Sequence, residues 1–192
     1  MVGVFGPRQS EVKLGFTDTG RLNCEVRYTS FAAARASKAE QGQAEAAAAQ
    51  ALSQALEASA QLERFPKAVF DVSAMVLEAG GADAAVLVTA ASAALADAGV
   101  ELHDLVSAVQ VVKCGGQLLL DPSLEEGGAA EGSLLLAAMA STGEVTHMEV
   151  RGRWGDGELR EGLELALGGC GQLRGAVREA LLAGMEERAG GA

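Results

Sequence analysis

Few side chains in the chain are spaced for chemistry. The three cysteines, Cys24, Cys114 and Cys170, form no CxxC pair, and the histidines, His103 and His147, lack HExxH-like spacing. They define neither a zinc site nor a disulfide framework, and an odd, scattered set of thiols suits a reducing compartment. The glycine-rich run at 169–175, GCGQLRG, follows no strand and lies inside a helical periodicity, which excludes a dinucleotide loop. What remains is a set of arginines, Arg8, Arg21, Arg27 and Arg35. Residues 1–38 hold six bases and three acids, a net of +3 within a chain of net −11, leaving −14 on the rest. Guanidinium groups match phosphate oxygens, so a basic sheet edge could touch an anionic backbone; a solvated strand face accounts for the charges equally well. The acidic whole argues against a free-standing nucleic-acid binder, which carries a basic face. Trp154, in RGRWGDG, could stack a base, but an anchor in a core or interface is the better reading.

The elements that would position these residues are read from periodicity. VGVF ahead of Gly6-Pro7 is the end of a strand, because Pro7 lacks the donor to continue a central ladder. RLNCEVRYT, from Arg21, alternates Leu22, Cys24, Val26 and Tyr28 against Asn23, Glu25 and Arg27, a half-buried strand. Residues 38–63, rich in alanine, predict a helix that Pro66 stops. KAVFDVSAMVL is a mostly buried strand ending at Ala79-Gly80-Gly81, and ADAAVLVTAASAALADAG is a buried helix closed by Gly99. Four short strands follow (DLVSAVQVV, QLLLD, SLLLAAMAS and VTHMEVRGR), and then an amphipathic helix over 157–186. Five glycines between 162 and 175 each cost that helix about 1 kcal/mol relative to alanine, so packing must hold it.

Helices separated by runs of antiparallel strands make the fold class α+β, and the absence of repeats or long linkers predicts one domain over residues 1–192. Aromatic residues are only 4% of the chain, so the core must be alanine, valine and leucine. No apolar run reaches the roughly eighteen residues of a membrane span, and the N-terminus has no signal-peptide layout. A soluble, intracellular protein with no membrane partner is expected.

FGPR at 5–8, the strand running into Gly80-Gly81, TAASAALADAGVELHDLV at 89–106, and Leu-Leu-Asp at 119–121 follow one another in a distinctive order. Together they resemble the RNase PH family of 3′→5′ phosphorolytic exoribonucleases and exosome ring subunits. LLDPSLEE and the last helix resemble its Mtr-three-type ring subunits. The resemblance implies an RNase PH-like domain with a mixed β-sheet packed by helices. It implies a ring of RNase PH-like partners with a cap subunit, single-stranded RNA passing through the pore, rRNA processing and RNA decay, and residence in nucleus, nucleolus and cytoplasm. Arg8, Arg21, Arg27 and Arg35 are then the RNA-binding candidates. Family members carry further strands before Gly-Pro-Arg, whereas Met1 here stands four residues before Phe5. The resemblance therefore predicts a sheet without its first strands, an open, aggregation-prone edge, and an isolated chain that is unstable.

Phosphorolysis needs cationic and backbone clamps for phosphate, and carboxylates that place a divalent ion or move a proton. In active relatives the Gly-Gly turn continues Thr-Arg; here it continues Ala82-Asp83, an acid in place of the phosphate-gripping arginine. A second arginine lies in the first long helix of those enzymes, yet residues 39–63 contain none. Of the paired aspartates, Asp121 is present and the position six residues on is Gly127, with Glu125 and Glu126 nearby as longer-armed substitutes. Ala82, Asp83, Asp121 and Gly127 are thus degenerate active-site positions, Asp121 doubling as a turn-initiating aspartate before Pro122. The expectation is a subunit with no catalytic residues, no metal and no cofactor. An active phosphorolytic exoribonuclease and an unrelated stand-alone α+β binding module are the alternatives.

Overall fold

The computed structural model describes residues 1–9, 19–32 and 38–190. Strands β1 (Val2–Gln9), β2 (Arg21–Tyr28) and β3 (Ala68–Val76) form a sheet ordered β1-β3-β2, with β1 antiparallel and β2 parallel to β3. A parallel pair needs a crossover, which helix α1 (Lys38–Glu57) provides. Helix α2 (Asp83–Asp97) leads to a second, antiparallel sheet ordered β5-β4-β6-β7: β4 (Val106–Cys114), β5 (Gln117–Leu120), β6 (Gly132–Met139) and β7 (Glu144–Gly152). A short helix, α3 (Leu124–Gly128), sits between β5 and β6, and α4 (Asp156–Gly190) follows β7. The α+β class holds, the first sheet mixed and packed by helices, beside a second, antiparallel sheet.

The layers run first sheet, α1 with α2, second sheet, α4. β6 is the pivot, because it is buried on both faces. Leu135, Ala137 and Met139 enter the core around α1 and α2, while Leu134, Leu136 and Ala138 pack under α4 with Ala166 and Cys170. That explains its unbroken apolar run, the signature of a strand covered twice. α2 is apolar nearly all round because it lies between two sheets, and its polar exceptions are used. The Ser92 hydroxyl accepts the Val106 N–H at 2.8 Å and the Thr89 hydroxyl accepts the Ala108 N–H at 2.9 Å. These hydroxyls satisfy β4 donors where β5 has not yet joined the ladder.

Three boundaries differ from the sequence reading. β1 continues through Gly6-Pro7 to Gln9, because among the described residues it is paired on one side only and its register slips between Phe5 and Arg8; an edge strand with a bulge tolerates proline. α1 ends at Glu57, well before Pro66. The Ser59 hydroxyl donates to the Leu56 carbonyl at 2.9 Å, and Ala60 leaves the helix to bridge Leu102. α3 was not foreseen. The glycines of α4 have a use: a Cβ on Gly162 would meet the Trp154 ring at 3.2 Å, and one on Gly169 would meet Leu120 and Val109 at 3.2 Å. Gly162 and Gly169 let the helix lie close on the sheet, which offsets their propensity cost.

Candidate functional site

β3 ends at Val76 and the chain turns through Gly80 and Gly81 into α2. Gly81 has φ +115, and a Cβ there would stand 2.6 Å from the Ser123 carbonyl carbon and 2.7 Å from the Pro122 oxygen. No other residue allows that approach, so the turn at 80–83 is locked against the segment at 121–124. Ala82, at the N-cap of α2, contributes no side-chain cap. The Asp83 carboxylate, in the first turn, accepts the Gly80 N–H at 2.9 Å and the Tyr28 hydroxyl at 3.4 Å. A helix N-terminus favours negative charge, and Asp83, in the first turn of α2, places a carboxylate at that end, bonded to Gly80 ahead of the helix. Burial, and then the Asp83 charge beside it, push the Tyr28 hydroxyl up to about 12.

Asp121 faces the same cavity of ≈ 570 Å³ as Asp83, in a left-handed backbone conformation (φ 56), its N–H on the Gln110 carbonyl at 2.9 Å. Beyond Pro122, Ser123 caps α3. Its hydroxyl accepts the Glu126 N–H at 3.3 Å, and the Glu126 carboxylate accepts the Ser123 N–H at 2.8 Å, a reciprocal capping box. Those bonds hold the Glu126 carboxyl below its usual range. Glu126 thereby serves the end of α3 as a cap. Gly127 is exposed, with open space where a side chain would be. The donors do not fit a divalent ion: Asp121 lacks its second carboxylate, and no group of three His, Cys, Asp or Glu side chains is so placed among the described residues.

On the other side of Asp83 is a smaller cavity of ≈ 270 Å³, walled by Ala44, Ala47 and Ala48 of α1 and reached by Arg151 of β7. Arg151 is engaged by Glu149, Nε to Oε1 at 2.6 Å. Sequence reasoning found the strand but missed this arginine. Alternation puts positions 149 and 151 on one face, but nothing local says that α1 lies opposite.

Two of the four arginine candidates come together. Arg8 on β1 and Arg21 on β2 are both register partners of Val69 on β3, so they flank it in one row. They border a cleft of ≈ 1050 Å³ that also receives Asn23, Gln61, Arg64 and His103. Arg8 pairs with Asp71, and Arg64, which the sequence reading missed, pairs with Glu101. The Arg8 guanidinium and, less strongly, the Asn23 amide hold the Asp71 carboxyl below its ordinary range despite some burial. Arg27 lies at the far end of β2, on Glu25 at 2.8 Å, and Arg35 falls outside the described residues. Trp154 is an anchor: its Nε1–H donates to the Arg151 carbonyl at 3.0 Å and its ring packs on Gly162.

Residues 1–101 match the profile of the 3′ exoribonuclease family, domain 1, and residues 104–169 that of its domain 2. The chain belongs to this RNase PH family. The two matched segments share the core around α1 and α2. Family membership removes the reading as an unrelated binding module. Among curated relatives, "Exosome complex component RRP41-like" of Arabidopsis thaliana is 40% identical over 94% of this chain and 70% of its own length. Human "Exosome complex component MTR3" is 40% identical over 88% of this chain and 64% of its own. "Exosome complex component Rrp41" of Cenarchaeum symbiosum is 32% identical over 94% and 75%. The crystal structure of rice (Oryza sativa) Rrp46 superposes with a TM-score of 0.80 over 94% of this chain and 82% of that one, at 18% identity, a likeness of fold. In this RNase PH-family chain the turn at 80–83 presents Ala82 and Asp83 and packs on the segment at 121–124.

Proposed function

We propose that this chain is a phosphorolytically silent subunit of the ring of a eukaryotic RNA exosome. It supports 3′→5′ RNA processing and decay, rRNA maturation included, by assembling with other RNase PH-like subunits and a cap subunit. Single-stranded RNA then passes the ring toward a separate catalytic subunit, in nucleus, nucleolus and cytoplasm. The names of the relatives support the assembly. The observation that supports the silence is the Asp83 carboxylate at the head of α2, bonded to Gly80 and Tyr28. Phosphate would have to enter beside a fixed negative charge, with no arginine on the described length of α1 to offset it. Arg8 and Arg21, in their row across the first sheet, are the proposed contacts to RNA phosphates.

With single-stranded RNA, inorganic phosphate and magnesium, the purified chain is expected to release no nucleoside diphosphate above a protein-free blank. Release that rises with protein concentration would overturn the silent reading. Coexpressed with other RNase PH-like ring subunits, it is expected to elute within one multi-subunit species on a sizing column.

A further inference from the structure

Two cavities adjoin along α2. One, of ≈ 570 Å³, reaches Met75 and Leu77; the other, of ≈ 540 Å³, lies between α2 and α4 and is floored by Val109 and Leu120. They share Val86, Ala90 and Asp121 and so form one trough. Its apolar walls face solvent: Val86 is 62% exposed, Leu77 48% and Leu173 38%. Beyond Cys170, α4 buries none of its described residues, so the apolar stripe of its second half lies open beside α2. A contiguous exposed apolar surface of this kind marks a contact site.

The charge of the trough selects what covers it. Glu78, Asp83, Asp121 and Glu126 line it, and no lysine or arginine does among the described residues. The amino group of Met1 lies there too, donating to the Met75 carbonyl at 2.9 Å. We propose that the trough docks an amphipathic helix of a partner protein, leucine-like on the inserted face and bearing lysine or arginine along its margins. Carboxylates repel RNA and disfavour a second copy of this chain, whose net charge is −11. A helix is the fitting element because the trough is bounded by two helices, and a third laid between them buries both apolar stripes. The inference rests on the ring-subunit reading only in taking the partner to be a protein. It gives the turn at 80–83 and the segment it packs on a use, since Asp83 and Asp121 supply the acidic margin.

The test is fluorescence anisotropy of the full chain with a labelled synthetic helix carrying leucines at i, i+3, i+4 and i+7 and lysines on both margins. Saturable binding is expected, weakened roughly tenfold or more by Val86→Asp with Leu173→Asp. A comparable loss is expected when the peptide's lysines become glutamates, a change that leaves the protein's own folding untouched. Val145→Asp, on exposed β7, should bind as the parent does. The proposal is overturned if the lysine peptide fails to bind, if the glutamate peptide binds equally, or if oligoadenylate displaces it. Ring entry on a sizing column is a separate readout, so either idea can fail alone.

Discussion

The turn joining β3 to α2 and the arginine row on the first sheet differ in opposite senses. At the turn the backbone is held to within a Cβ of a clash, and the side chain presented is a carboxylate. In the row the cations are present, but the side chains are exposed and Arg8 is shared with Asp71. Backbone at the turn is constrained by packing of 80–83 on 121–124, which folding requires whether or not phosphate binds. Side chains aimed at a ligand carry no such duty. The turn's backbone is therefore fixed by packing alone, whatever its side chains do.

The largest expected effect breaks the scaffold itself. Gly81→Ala demands a side chain at φ +115 and within 2.6 Å of backbone atoms. It should cost about 3 kcal/mol or more and lower the melting temperature by many degrees. Gly127→Asp, on an exposed helix end with open space, should shift stability by only about 0.5 kcal/mol. Parallel thermal melts check the pair; equal melting temperatures would mean that the turn is not locked.

A smaller effect belongs to the arginine row. In a reconstituted ring containing this subunit, Arg8→Ala with Arg21→Ala should weaken oligoadenylate binding. The same pair should flatten the logarithmic salt slope by roughly 0.7 for each RNA phosphate that is no longer neutralised. Arg27→Ala, at the other end of β2 and already on Glu25, should leave the slope unchanged. A slope that moves with Arg27 and not with the other two would place the RNA at the opposite end of the sheet.

How much of this could be read beforehand follows from where each signal is stored. The alternation in β2, the apolar run of β6 and the periodicity of α4 are local, and they identified those elements. Ala82, Asp83 and Gly127 were read at fixed offsets within short motifs, and the structure places the first two at the head of α2 and Gly127 on α3. The capping box of α3 was also local, Ser123 followed by Glu126, and went unread because attention to Glu126 as a catalytic carboxylate obscured its role as a cap. Pro7 misled because the rule that excludes it from central strands says nothing about a bulged edge. Arg64 and Arg151 had no local signal. Their surroundings are set by tertiary neighbours, Glu101 for one and the alanines of α1 for the other.

The subtlest prediction isolates the carboxylate at the head of α2. Tyr28 is the chain's single tyrosine, so its ionisation can be followed alone by near-ultraviolet tyrosinate absorbance. Burial, and then the neighbouring Asp83 charge, place that ionisation at about 12 against an ordinary value of 10.0. Forming a tyrosinate puts a second negative charge beside Asp83, so both causes favour the protonated hydroxyl and both raise the midpoint. Asp83→Asn removes the charge and leaves the burial, so the midpoint should fall part of the way toward 10.0 and stop short of it. Asp121→Asn, across the trough, should leave it where it was. A midpoint indifferent to Asp83→Asn would mean that the carboxylate does not sit beside the hydroxyl. The head of α2 would then be open to an external anion, and the case for a silent subunit would lose its physical basis.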